Sequence, residues 1–377
     1  MIWFSPASET VAVSQQDRLA VQGPAVQAEL TGAYAEEFLR VFLAAEPSAA
    51  GRLDELGALG SRDHRALAAV ARQGGGRPWV PLTAYGSGSV LFLEVVGRCN
   101  ERCVHCYADS APEVTAALDR ETCLRVVGEG AALGFERLQL TGGDPLLCAF
   151  LPDLAAAGRE AGFRRIEVYT NGLALGPERM DSLARHDVSF AFSFYSYDAA
   201  THDAITRVPG SQVRTRTAIE AAVQRGLEVR AAIVGVEANL GHVEETRALL
   251  LSLGVPASAI SFDRVRHVGR GRGHDAIVPA ESGGGHAQAS AEGAGPSWPG
   301  KLCVSYTGQV YPCIFARSRA LGDVGHESLG AIVLRARAVM SGSSPSPGRG
   351  LHLLAMSDRL ACLDCRLTTL ALEGRAR

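Results

Sequence analysis

Between Gly97 and Pro112 the chain reads GRCNERCVHCYADSAP, with Cys99, Cys103 and Cys106 at the spacing C-x3-C-x2-C. Thiols clustered this closely point to metal or redox chemistry more than to packing. A disulfide between two of them leaves an odd thiol. A closed zinc site takes four Cys or His ligands in a tetrahedron, and His105, hemmed in by its neighbours in the motif, has little freedom to join Cys103 and Cys106 on one ion. A cuboidal iron–sulfur cluster wants four thiolates. Three would hold three of its irons and leave the last open to chelate a small molecule through an amine and a carboxylate. The fourth ligand therefore either comes from elsewhere in the chain or is omitted so that a position stays open.

The chain has nine cysteines in all. KLCVSYTGQVYPC carries Cys303 and Cys313 on either side of Gly308, and CLDC carries Cys362 and Cys365. Four thiolates suffice to close one further iron–sulfur or zinc site. Cys123 and Cys148 stand alone and read as small buried hydrophobes. A net charge of -3 provides no basic footprint, so no nucleic-acid partner is expected. No apolar run approaches the roughly 18 residues that span a bilayer, and the start, MIWFSPASETVAV, lacks the basic head and apolar stretch of a secretory signal. The expected location is the cytoplasm, where reducing conditions argue against a disulfide framework.

The elements that must position these thiols alternate along the middle of the chain. Strand-like runs occupy 91–97, 136–143, 165–172, 188–196, 227–236 and 260–269, and helix-like segments 119–134, 151–162, 177–187, 213–226 and 242–254 lie between them, mostly closing on Gly. Six strands spaced by helices imply parallel βα units, and their apolar character suggests burial on both faces. They are fewer than the eight of a closed barrel, so the choice is a partial barrel or an open doubly wound sheet; both gather ligands at the carboxyl ends of the strands. The cysteine motif follows the first strand directly. In residues 1–85, FSPASETVAVSQ reads as a small hairpin and 33–45 and 61–74 as amphipathic helices, with a linker at 74–78. Residues 274–300 form a Gly/Ala/Ser-rich linker, and 301–377 carry the remaining four cysteines as a separate unit.

In motif and order the chain resembles the radical S-adenosylmethionine (SAM) superfamily, in particular its SPASM/twitch-type subgroup of peptide maturases, over residues 88–272 and beyond. The resemblance implies an α/β fold, a partial (β/α)6 TIM-like barrel over 86–273. It also implies a 4Fe-4S cluster on Cys99, Cys103 and Cys106 whose open iron binds SAM. Reductive cleavage of SAM would then yield a 5'-deoxyadenosyl radical. LQLTGGDPLL matches the segment that receives the methionine amino group, which implicates Gly142, Gly143, Asp144 and Pro145, with Asp144 where the family has Glu. YTNG at 169–172 closes the third strand as in relatives. FSFYSYDAATHDAITRVPGS resembles the fourth-strand segment and makes Ser193 and Arg207 SAM contacts, although Tyr195 and Ser196 replace the usual Asp-Gly. His105 is counted with the residues expected near the cofactor.

The same resemblance makes 301–377 a twitch- or SPASM-like extension with one auxiliary iron–sulfur cluster on Cys303, Cys313, Cys362 and Cys365; a zinc ribbon on the same four is the alternative. Residues 1–85 resemble the small α+β domain that binds a leader peptide as an added strand. The implied activity is hydrogen abstraction from a ribosomally made peptide, forming a crosslink or an oxidised side chain, with electrons from a flavodoxin or ferredoxin. Two alternatives are kept: a dehydrogenase or epimerase of a sugar or antibiotic intermediate, and a non-catalytic metal-bound binding module.

Overall fold

The computed structural model of the protein describes residues 2–5, 10–15, 18–23, 26–31, 80–81, 89–266, 268–273, 300–317 and 320–340. Strands β1 (Ile2–Ser5), β2 (Thr10–Gln15), β3 (Arg18–Gly23) and β4 (Val26–Thr31) form an antiparallel sheet with β5 (Val80–Pro81), in the order β4-β3-β2-β1-β5. The expected hairpin is β1–β2, with Phe4 opposite Val11; the sequence reading left β3 and β4 unassigned. The expected helices over 33–45 and 61–74, the linker at 74–78, the tract at 274–300 except its last residue, and Cys362 and Cys365 lie outside the described residues.

Six parallel strands follow: β6 (Val90–Val96), β7 (Arg137–Gly142), β8 (Arg165–Thr170), β9 (Val188–Ser193), β10 (Val229–Gly235) and β11 (Ile260–Arg264). Each pairs in parallel with the next. Between them run α1 (Arg120–Ala132), α2 (Leu151–Glu160), α3 (Pro177–Ala184), α4 (Ala199–Thr206), α5 (Ser211–Gln224) and α6 (Val243–Ser252). This is the partial (β/α)6 barrel. Of these six, α4 alone lies outside the expected helix-like segments; it starts where the Asp198 carboxylate accepts the Thr201 N–H at 2.8 Å, an ordinary N-cap. The barrel is left open, and β12 (Lys301–Val304) joins β6 in parallel on its other side, with Cys303 opposite Phe92. Antiparallel β13 (Gln309–Tyr311) and β14 (Gly322–Asp323) extend that edge. Helix α7 (Leu329–Met340) begins with the Leu329 N–H donated to the Glu129 carboxylate on α1.

The strands are not apolar on both faces as expected. Leu91, Leu93, Leu138, Leu140, Ile166, Val168, Phe190 and Phe192 join one core with the helices. The alternating positions carry Glu94, Gln139, Thr141, Glu167, Ser189 and Arg230, so the opposite face of the sheet is polar. Glu167 accepts from Arg230 Nε and Nη2 at 2.7 and 2.8 Å and from Gln139, a network reaching from β7 to β10. An open barrel needs apolar contact only where helices cover it, and its inner face is free to pair charges across strands.

Candidate active site

The ends of β6 and β7 meet at the cysteine loop. Gly143 N–H donates to Val96 O at 2.6 Å and Asp144 N–H to Arg98 O at 2.9 Å. Only glycine permits that approach: a Cβ on Gly143 would stand 2.1 Å from Arg98 O, and one on Gly142, at φ +142°, would stand 2.3 Å from Val96 O. The loop beyond has no regular structure, so its main-chain groups find partners elsewhere. Cys99 N–H donates to Ala111 O at 3.2 Å, Arg102 N–H to Thr206 O at 3.0 Å and Val104 N–H to Ile205 O at 2.9 Å. The end of α4, unassigned in the sequence, thus anchors the motif.

Cys99 is buried and Cys103 and Cys106 partly so, and all three are free thiols. Burial pushes each thiol pKa up, and for Cys103 the nearby Glu101, Cys106 and Cys99 add to the shift. Bound metal would remove those protons. The Cys103 S–H donates to Glu101 Oε2 at 3.1 Å, and the Tyr195 hydroxyl donates to Cys103 Sγ at 3.9 Å. Burial raises the Glu101 carboxyl to about 7, against the lowering effect of its bond from Cys103. The His105 ring packs edge-on against Tyr195, with centroids 4.8 Å apart. Tyr195, where the family usually has Asp, is itself held: its N–H donates to His202 Nδ1 at 3.3 Å and its carbonyl accepts from Asn239 at 2.7 Å.

Asp144 is fully buried, and its carboxylate is occupied within the protein. Oδ1 accepts the Leu146 N–H at 2.9 Å; Oδ2 accepts the Thr170 hydroxyl at 2.7 Å and the Asn171 N–H at 3.1 Å. Pro145, also buried, opens the short turn that follows. Asn171, in the YTNG segment, then donates from Nδ2 to Asn100 at 2.6 Å and lies 3.8 Å from Cys99 Sγ. Strand ends β6, β7 and β8 are locked together in this way. Ser193 ends β9, half-buried beside the hydroxyls of Tyr169 and Tyr195. Arg207 is exposed in the left-handed conformation at the end of α4, next to the Thr206 carbonyl that holds the loop. Glu101 and Asn171 were not singled out as site residues, although the YTNG motif contains Asn171; Tyr195, with Tyr107, Asp144 and His202, was expected near the strand ends with nothing in the sequence to rank them.

Cys303 lies in β12 and is fully buried, and Cys313 follows β13. Arg317 Nη2 is 4.0 Å from Cys303 Sγ and pairs with buried Glu94 on β6. Burial raises the Glu94 carboxyl, and Arg317 opposes that shift. The guanidinium also sits 5.0 Å from the Tyr107 ring centroid. Tyr107 follows Cys106 directly, and the Tyr306 hydroxyl donates to Ala108 O at 3.1 Å. The two cysteine groups are therefore joined through Tyr107, which meets Arg317 and packs edge-on against Phe315 with centroids 5.5 Å apart, and through the Tyr306 hydrogen bond.

The donor set of the first group fits an iron–sulfur cluster: three unbridged thiols share one neighbourhood, on a loop whose main chain packs directly on Gly142 and Gly143. No three His, Cys, Asp or Glu side chains among the described residues converge on a single ion. A cuboidal cluster takes each thiolate on a separate iron and does not require such convergence. None of the described helices is long and apolar enough to cross a membrane.

Comparison with known proteins matches residues 93–250 to the radical SAM superfamily. An AdoMet-dependent heme synthase of Methanosarcina barkeri is 30% identical over 194 residues, 51% of this chain and 55% of that protein. The antilisterial bacteriocin subtilosin biosynthesis protein AlbA of Bacillus subtilis is 24% identical over 266 residues, 64% of this chain and 58% of that protein. The chain thus spans a little over half the length of these curated relatives. The crystal structure of Streptococcus suis SuiB bound to the precursor peptide SuiA superposes with a TM-score of 0.53 at 12% identity, covering 87% of both chains, a likeness of fold.

Proposed function

We propose that the chain, whose residues 93–250 match the radical SAM superfamily, is an enzyme that abstracts hydrogen from a ribosomally made peptide, leaving a crosslink or an oxidised side chain. The observation that carries the reading is the triple-cysteine loop at the carboxyl end of β6, facing Gly142 and Gly143 at the end of β7. A 4Fe-4S cluster held by Cys99, Cys103 and Cys106 would supply the one-electron reduction that cleaves bound SAM. In this reading the Gly142–Gly143 main chain lets the cofactor's amino acid part approach, and Asp144 acts by fastening that turn to Thr170 and Asn171. Ser193 and Arg207 are assigned to SAM, and buried Glu101 and Tyr195 keep water from Cys103.

Support for a peptide substrate comes from AlbA and from the fold shared with SuiB, and from the N-terminal antiparallel sheet. Among the described residues its β4 and β5 each pair on one side only, the kind of edge to which an extended peptide adds as a strand. Cys303 and Cys313 are assigned, with Cys362 and Cys365, to one auxiliary iron–sulfur cluster.

Anaerobic reconstitution with iron and sulfide, then dithionite and SAM, is expected to release 5'-deoxyadenosine. Adding a precursor peptide with its leader is expected to give a peptide product of altered mass. Intact clusters without 5'-deoxyadenosine would refute the catalytic reading. Cleavage of SAM with no change in any peptide encoded nearby would move the substrate to a sugar or antibiotic intermediate.

A further inference from the structure

The cysteine loop is held on one side by the end of α4. On the other side one residue makes three hydrogen bonds to it. Arg270, just past β11, donates its main-chain N–H to Cys106 O at 3.0 Å, Nε to Cys103 O at 2.9 Å and Nη2 to Ser110 O at 2.8 Å. Its neighbour Gly269 has φ +58°, and a Cβ there would stand 2.4 Å from Cys106 O, so the turn lies flat against the loop. The turn is itself fixed, with Val268 N–H bonded to Arg266 O at 2.7 Å.

Three carbonyls of one irregular loop thus converge on one arginine, two of them belonging to cysteines. An irregular loop carries no ladder of its own to meet those acceptors, and an unmet buried carbonyl is costly. Charged donors meet them more strongly than neutral ones, and the fork of a guanidinium reaches two acceptors at once.

We propose that Arg270 is a positioning residue for the cluster site: it holds the carbonyls of Cys103, Cys106 and Ser110 so that the thiols point to one side, and its charge beside the loop raises the reduction potential of the cluster they bind. The inference rests on the reading of Cys99, Cys103 and Cys106 as cluster ligands. Two effects separate by substitution. Lysine keeps the charge but not the fork; glutamine keeps neither the charge nor the reach. A positive charge near an iron–sulfur cluster favours its more negative reduced form, so loss of the charge lowers the potential.

The test compares wild type, Arg270→Lys and Arg270→Gln in the full chain. In metal-free protein, amide hydrogen exchange over residues 99–110 is expected to speed up by about tenfold in both variants, the loss of a charged hydrogen bond. After reconstitution, the midpoint potential of the cluster, followed by paramagnetic resonance, is expected to fall in Arg270→Gln and to stay near wild type in Arg270→Lys. Wild type that takes up no cluster would overturn the reading of the cysteines and this inference with it. Wild type that takes up a cluster, with exchange and midpoint unchanged in Arg270→Gln, would overturn the inference alone. Should Arg270→Gln fail to fold, full exchange protection in Arg270→Lys would overturn it equally.

Discussion

The two groups of cysteines are held by opposite means. Around Cys99, Cys103 and Cys106 the chain has no ladder, and its main-chain groups are tied to Ala111, to the end of α4 and to Arg270. Around Cys303 the main chain is already satisfied, because Cys303 and Tyr311 face each other in an antiparallel hairpin. What surrounds that thiol is instead a buried ion pair, Arg317 with Glu94, which ties the hairpin to the first barrel strand. The difference bears on what each region can bind. Side chains alternate along a strand, so a hairpin offers few thiols to one group and needs partners from elsewhere. An irregular loop pinned at both ends can turn three thiols to the same side. The first site is proposed to be complete within one loop, and the second to need Cys362 and Cys365.

The sharpest way to break this contrast is to remove a thiol from each side. Cys103→Ala is expected to abolish 5'-deoxyadenosine formation and to lose about four irons per chain, since the open cluster depends on every ligand. Cys313→Ala is expected to spare SAM cleavage while stopping peptide product. Iron analysis and chromatography of both products check this, and equal loss of cleavage in both variants would give the hairpin a folding role instead.

The ion pair of the hairpin region is tested next. Arg317→Ala leaves Glu94 buried without its partner and is expected to destabilise the fold by about 3–5 kcal/mol in urea unfolding. Replacing both together, Glu94→Gln with Arg317→Met, is expected to recover most of that loss. A double variant as unstable as the single one would remove charge burial as the cause.

Acid is expected to act on the loop region. His202, which accepts the Tyr195 N–H, has its pKa lowered to about 4, chiefly by burial, so it is neutral in the fold. The unfolded state binds the proton at higher pH and therefore gains relative stability as pH falls. The full contribution is present above pH ~6.5 and is lost progressively toward pH 4, up to about 3 kcal/mol. Urea unfolding at several pH values should show this slope in wild type and lose it in His202→Gln. The smallest expected effect is that of Gly143→Ala, about 1–3 kcal/mol from pushing the Arg98 carbonyl aside, with weaker SAM binding. Unchanged stability and binding would mean that the loop yields at that point.

Much of the barrel was legible because its cues are local. Each of the six strands lies within its expected segment to within a residue, and five of the helices carry the apolar spacing read from the sequence. Helix α4 was missed because ATHDAIT is short and weakly amphipathic, and its start rests on the Asp198 cap more than on periodicity. The inner face of the strands was misread because a strand covered by helices on one side looks apolar overall, while its alternate residues, Glu94, Gln139 and Glu167 among them, pair with polar and charged groups far away in the sequence, on other strands or, for Glu94, at Arg317 beyond β13.

What the sequence by itself determined is the kind of donor and its grouping. Covalent spacing keeps Cys99, Cys103 and Cys106 together in any fold, and paired glycines after a strand mark a close backbone approach wherever they land. What only the tertiary structure decided is how those donors are held. Arg270 and Cys103 are 167 positions apart, and Arg317 and Glu94 are 223 apart. No periodicity or motif links such partners. They meet because successive strands bring their carboxyl ends to one rim, where the hydrogen-bonding groups of irregular loops must find partners across the fold or remain unmet.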